Sequence, residues 1–275
     1  MPTAHATHDD HPDTSGVTKK TPFYEASTFG RRLDNVLGFF LTLLFGVAFT
    51  LLFRLLFIIR IEGKERFEAE YRKLTRPMPG QSPQPLIVAW NHRTLLDSYF
   101  FVQAFFLPYC FWTWIRTGTN PLPYHAANQK NYFNTAFRRF CARHWHIVPV
   151  KAINGNQKDG MVIRRLVRVL KTHVLHIFPQ GRRAKFDDEI IVPPPGTGQI
   201  VILSRATVLP MWVQGMGNVQ DSHIPGHHIY RLRLRLFRRI TICVGEPMHF
   251  GPEQSDPQAV SQAILDAIVA RRPHE

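Results

Sequence analysis

The chain has 275 residues, enough for one large domain with an appendage. Its 34 Lys and Arg against 20 Asp and Glu leave a formal charge of +14, which favours anionic partners: phospholipid surfaces, nucleotides or nucleic acid. Cys110, Cys141 and Cys243 are widely spaced with no CxxC, and the 14 histidines include no H-E-x-x-H, so neither a disulfide framework nor a metal site is expected and a reducing compartment fits.

Residues 1 to about 30 are polar and rich in His, Asp, Thr and Pro, the composition of a disordered tail. Val36 to Phe53 is then an almost uninterrupted apolar run. Arg54 interrupts it, and Leu55 to Ile59 continues before Arg60. Eighteen residues of helix rise roughly 27 Å, enough for a hydrocarbon core. The run starts too late for a cleaved signal peptide and lacks its small-residue cleavage site. A buried helix is the alternative, but the Phe and Leu density favours lipid contact through Phe39, Phe40, Leu44, Phe45, Phe49 and Phe53. Basic residues flank both ends, Lys19, Lys20, Arg31 and Arg32 before, Arg54, Arg60, Lys64 and Arg66 after, so charge gives no orientation. Gly46 permits a break into two short helices that enter and leave one leaflet.

Beyond Arg60 the pattern alternates. Leu86–Trp90, Phe111–Ile115, Ile147–Val150, Val174–Phe178 and Val208–Val213 read as strands. Residues 95–106, 131–144, 158–172 and 198–206 read as helices between them. Ile240–Val244 is a late strand, and Ala259–Arg271 closes the chain as an amphipathic helix. This order predicts an α/β fold: a central, largely parallel or mixed sheet flanked by helices, preceded by a hydrophobic membrane-associated helical segment. The expected division is a polar N-terminus over 1–30, a membrane-associated segment over 31–60 and a catalytic domain over 61–275.

Asn91-His92-Arg93-Thr94-Leu95-Leu96-Asp97 lies between the first buried strand and the following helix. Open α/β sheets place their sites at such turns. With Thr94 as cap, Asp97 falls at the third helical position and His92 lies just before the cap. The positive end of the helix dipole disfavours imidazolium there, and a carboxylate one turn away can fix the ring's tautomer. The same residues also read as a capping box, Thr94-x-x-Asp97, with a loop histidine beside it.

Ile177-Phe178-Pro179-Gln180-Gly181-Arg182-Arg183 follows another strand. Pro179 and Gly181 force a turn, and the arginines can clamp phosphate or simply meet solvent. Pro193-Pro194-Pro195-Gly196-Thr197-Gly198 can hold an anion at a helix start or serve as a plain helix entry. Arg231 to Leu236 alternates with period two, as an edge strand with one basic face would.

In this order the segments resemble the glycerolipid acyltransferase family, especially bacterial 1-acylglycerol-3-phosphate acyltransferases. The resemblance covers roughly residues 60–250. Ile61-Glu62-Gly63 is similar to the family's lead-in, His92 to Asp97 to its His-x4-Asp motif, and Phe178 to Arg182 to its Phe-Pro-Glu-Gly-Thr-Arg block. Pro-Gly-Thr-Gly, Val208-Leu209-Pro210 and Gly245-Glu246-Pro247 are similar to later landmarks. The resemblance implies that His92 takes the proton of an acceptor hydroxyl, that Asp97 orients it, and that no acyl-enzyme forms. It implies Arg93, Lys151, Gln180, Gly181, Arg182 and Arg183 as substrate-binding residues. No cofactor is expected, with acyl-CoA or acyl-ACP as co-substrate, a membrane lipid as partner and no nucleic acid. The expected localisation is at a membrane, the catalytic domain on its cytoplasmic face. The oligomeric state is not read from the sequence. Gln180 stands where the family has Glu, Arg183 departs from the Thr-Arg order, and Lys151 stands near where the family offers an arginine. A weakly active or inactive lipid-binding relative is the second reading. A nucleic-acid binder is the third, resting on charge alone.

Overall fold

The computed structural model describes residues 36–94, 96–106, 114–116, 121–128, 135–150, 160–185, 189–221, 231–232 and 235–273. The polar N-terminus and Lys151 lie outside them.

Helix α1, Val36–Leu56, has 21 residues, is long and apolar enough to cross a bilayer, and has only 17% of its most apolar stretch buried. It is a candidate for membrane association. The break that Gly46 permits does not occur. Gly46 is helical (φ −64°, ψ −47°), and a π-turn over Thr42–Gly46 takes up one extra residue while the helix continues. Phe57 is extended (φ −136°, ψ 149°) and ends α1. Strand β1, Ile58–Glu62, follows at once, so the apolar stretch Leu55–Ile59 is divided between a helix and a strand. β1 also spans the expected segment boundary after residue 60.

The side chains of α1 divide by face. Phe40 and Leu44 are well exposed, Phe49 is marginally so, and Phe39 and Phe45 are half-buried. Phe53 is a correction. It is buried among Phe57 and Phe100, because its end of α1 lies on the sheet.

Gly63, at φ 72°, lets the chain turn from β1 into helix α2, Lys64–Thr75; a Cβ there would meet the Val244 carbonyl at 2.8 Å. Then come β2 (Leu86–Trp90), α3 (Asp97–Phe101, running on as a π-turn to Phe106), β3 (Tyr124–Asn128), α4 (Ala136–His144), β4 (Ile147–Val150), α5 (Gly160–Val169) and β5 (Leu175–Ile177). The chain ends with α6 (Gly196–Ser204), β6 (Thr207–Gln214), β7 (Gln220–Asp221), β8 (Arg231–Leu232), β9 (Arg239–Val244) and α7 (Pro257–Val269).

Among the described residues, seven strands form one sheet in the order β1-β9-β6-β2-β5-β3-β4, and only the β6–β9 pairing is antiparallel. The α/β fold expected from the alternation is therefore present. Side-chain alternation sorts two cores. Leu86, Val88 and Trp90 of β2 face Phe67 of α2 and Phe100, Phe101 and Phe105 of the α3 segment. Ile87 and Ala89 face Leu166 of α5, Ile200 of α6 and Ile264 of α7. β2 is buried on both faces, which explains its unbroken apolar sequence.

Three expectations change. Trp114 and Ile115 sit in a helical turn, not a strand; short aromatic-rich runs fit a buried helix as well as a strand. β3 has the sequence Tyr-His-Ala-Ala-Asn, too polar to announce itself, yet it pairs between β5 and β4. Of the Arg231–Leu236 alternation, Arg231–Leu232 form β8, paired with β7, Arg235 and Leu236 are not in a strand, and Arg233 and Leu234 lie outside the described residues.

The distant landmarks meet in space. β1 pairs with β9, Arg66 donates to the Val244 carbonyl at 2.9 Å, and it bridges to Glu246 at 2.8 Å. The glycine run before α6 is a helix entry. The Gly198 N–H donates to Ser261 Oγ at 2.8 Å, and Gly198 packs against the Pro257 backbone at the start of α7. Gly198→Ala would press a Cβ into the Pro257 carbonyl. It is expected to destabilise by about 1–3 kcal/mol, measured as a lower thermal unfolding temperature.

Candidate active site

The site forms where β2 ends. Asn91 is buried, and its side chain imitates a strand residue: Nδ2 donates to the Val213 carbonyl (2.8 Å) and Oδ1 accepts the Val213 N–H (2.7 Å). This continues the β2–β6 ladder one step past Trp90–Met211. The sequence reading gave Asn91 no such task; a buried amide at a strand's end that must satisfy both its groups was the available signal.

His92 comes next. Its backbone N–H donates to Gln180 Oε1 (2.8 Å), and its carbonyl accepts the Ala184 N–H (2.7 Å). Arg93 Nη1 donates to the Ala184 carbonyl (3.1 Å). The loop after β2 is thereby pinned to the loop after β5. Phe178 of that loop lies flat against the His92 ring, with centroids 3.7 Å apart and planes 14° apart. Gly181, at φ 68°, closes the Phe178–Gly181 turn with its N–H on the Phe178 carbonyl (3.0 Å).

His92 Nδ1 lies 2.8 Å from Asp97 Oδ2. An ionised carboxylate only accepts, so Nδ1 carries the proton and Nε2 of the neutral ring is left as the basic nitrogen. The same Oδ2 also accepts the N–H groups of Arg93 (2.6 Å) and Thr94 (2.9 Å), and Oδ1 accepts the Thr94 hydroxyl (2.6 Å). Thr94 Oγ1 in turn accepts the Leu96 N–H (3.1 Å). The helix begins at Asp97 rather than just after Thr94, and one half of a capping box is present: the Asp97 carboxylate accepts the Thr94 N–H, while Thr94 Oγ1 accepts from Leu96 rather than from Asp97. The two readings of the motif are not rivals, because one carboxylate serves both.

Burial holds the His92 imidazole below its ordinary value, and Arg183 adds to the effect, while the hydrogen bond and charge of Asp97 oppose it. The direction is the one expected from the helix dipole; the leading cause is burial.

The remaining expected residues divide. Gln180 is buried and touches His92 through its backbone. Arg183 acts on His92 by its charge. Arg182 is more than half exposed and is held by Glu189 (2.9 Å), whose other oxygen accepts the Lys185 N–H. Among the described residues no cluster of His, Cys, Asp and Glu is placed to hold a metal ion.

An open, largely apolar cavity, about 660 Å³ with its mouth, lies between α1, α3 and the β3–β4 edge. Phe45 and Phe49 of α1, Ser98, Tyr99 and Val102 of α3, and Trp145 form much of its wall. Ser98, one of its lining residues, directly follows Asp97 in α3. His125 of β3 also lines it, and its Nδ1 lies 2.8 Å from Nδ1 of His176 on β5. His176 stacks on Phe101 and meets Trp90 and Phe178 edge-on. The sequence reading found neither histidine, since both sit singly in ordinary strand positions.

A family model described as Acyltransferase matches residues 58–214, more than half of the chain and all of the site. The chain belongs to the acyltransferase family. The crystal structure of the 1-acyl-sn-glycerophosphate (LPA) acyltransferase PlsC from Thermotoga maritima is similar, with a TM-score of 0.50 and 15% sequence identity over 90% of this chain and 99% of that one. At that identity the likeness is one of fold. No curated protein matches the sequence.

The buried histidines give the acyltransferase a pH signature. Burial pushes His125 and His146 down to about 3. Between about pH 6.5 and 3 these rings stay neutral in the native state while the unfolded chain's histidines take up protons. The unfolded state therefore binds more protons in that window, and stability falls as pH drops through it, by up to about 1.4 kcal/mol per pH unit for each histidine. Thermal unfolding followed from pH 8 to 5 is expected to be flat with respect to these groups above 6.5 and to weaken progressively below it.

Proposed function

We propose that this acyltransferase moves a fatty acyl group from acyl-CoA or acyl-ACP to the hydroxyl of a lysophospholipid, such as 1-acylglycerol-3-phosphate, at a membrane surface. The observation that carries the reading is the His92–Asp97 pair at 2.8 Å, with Asp97 held by backbone N–H groups and His92 Nε2 left for an acceptor. As the acceptor oxygen attacks the thioester carbonyl, its proton passes to Nε2 and a C–O bond forms. The C–S bond then breaks, and the departing thiolate takes the proton back from Nε2. No covalent enzyme intermediate is needed. Asp97 stabilises the transient imidazolium without taking its proton.

Arg183 would meet the anionic part of a substrate; the reach of its charge to His92 supports this role. Arg182 is engaged with Glu189. Gln180 supports the active reading over the inactive lipid-binding relative: the donor it meets is a backbone N–H, and a neutral amide oxygen serves that donor. The exposed apolar face of α1 and the charge of +14 support work at an anionic bilayer; the cytoplasmic side is the one proposed for the catalytic domain.

His92→Ala is expected to lower the transfer rate at least about 100-fold, the usual worth of a general base, in a thioester-release assay with purified membranes and a lysolipid panel. Full activity in that variant would refute the mechanism. The reacting form is neutral His92, whose pKa is lowered by burial, so kcat/KM is expected to fall on the acid side with its midpoint below pH 6.5. Arg183→Ala is expected to raise the acceptor KM more than Arg182→Ala does, read from steady-state kinetics with a phosphate-bearing lysolipid.

A further inference from the structure

We propose that the cavity between α1 and β3 selects an acyl chain bearing a hydroxyl group, through Thr42 and His125. The inference rests on the acyl-transfer reading and names the chemistry of one of its substrates.

The cavity wall is mostly ring and hydrocarbon, with Phe45, Phe49, Val102 and Trp145 facing it, which suits a methylene chain. Two groups break that pattern from opposite sides. Thr42 lines the cavity from the π-turn of α1 and is 3% exposed, and its Oγ1 is buried with no hydrogen-bond partner. A threonine within a helix ordinarily returns its hydroxyl to a carbonyl one turn back, as Thr50 does to Gly46 at 2.7 Å. Thr42 does not. His125 lines the cavity from β3 and is 6% exposed. Its Nδ1 is taken by His176, which leaves Nε2 for a bound molecule.

An unsubstituted chain would leave the Thr42 hydroxyl without a partner and cover His125 with hydrocarbon, which is unfavourable. A hydroxyl both donates and accepts, so it serves the threonine oxygen and either tautomer of His125. A carboxylate is a poor fit. Among the described residues neither Lys nor Arg lines the cavity, and burial keeps His125 neutral, with its pKa pushed down to about 3.

The test uses the full-length protein in membranes. Acyl-CoA donors of equal length are compared with and without a hydroxyl, its position walked along the chain, and lysolipid acceptors are varied in the same way. The expected result is one hydroxyl position at which kcat/KM exceeds that of the plain chain by roughly three- to tenfold, the worth of one or two net hydrogen bonds. Thr42→Val, which is nearly isosteric, should reduce that ratio to about one, and Thr42→Ser should restore it. His125→Phe should act like Thr42→Val, and the threonine variants decide the matter if it fails to fold. A preference that follows the donor assigns the cavity to the transferred chain, and one that follows the acceptor assigns it to the lysolipid chain; either supports the inference. Transfer with no hydroxyl preference, or a preference unchanged in Thr42→Val, overturns this inference alone. Absence of transfer from every donor overturns the acyl-transfer reading and this inference with it.

Discussion

Everything at the end of β2 is arranged around the carboxylate of Asp97. It is almost wholly buried and accepts from the His92 ring, two backbone N–H groups and the Thr94 hydroxyl. A buried carboxylate demands such donors, and the loop can provide them only by folding back over the start of α3. The turn that satisfies Asp97 is thus the turn that carries His92. Helix initiation, loop shape and the tautomer of His92 follow from one constraint.

That turn is tied down from both sides. Asn91 fastens it to β6, and Gln180 and Ala184 fasten it to the loop after β5. β6 and β5 are the two strands that flank β2 in the sheet. His92 is therefore referenced to three adjacent strands, while Phe178 fixes the plane of its ring. Such support from a rigid sheet would limit the reorganisation needed in the proposed reaction. Gln180 also shows how a charge can be lost without losing a role. A carboxylate there would accept the same N–H, and would place a negative charge near His92 and Arg183.

The sheet was legible in the sequence wherever a strand was apolar on both faces, as in Leu86–Trp90, because burial leaves a continuous signature there. β3 was not, since His125 and Asn128 break any apolar pattern and the strand is held by its neighbours β4 and β5. β1 was hidden by its attachment to α1: Leu55 to Ile59 is uniformly apolar, and composition does not show that Phe57 turns from helix to strand. The His92–Asp97 pair and the Gln180 turn were legible because their chemistry depends on local spacing. Asn91 with Val213, and His125 with His176, were not, because each pair joins residues far apart in sequence whose meeting is set by strand order.

The π-turn in α1 carries a consequence of register. One residue more than an α-helical turn requires displaces every later side chain by about 100° around the axis. Val36–Leu41 and Val47–Leu56 consequently keep different angular phases within a single rod. Loss of one residue between Thr42 and Gly46 would let the turn close as ordinary α-helix, with both halves keeping the faces they now present. A residue lost elsewhere in α1 has no such turn to absorb it and would rotate one half by about 100° against the other. The π-turn is thus the one place in this rod where chain length can change without exchanging what the helix presents to the cavity and to its surroundings.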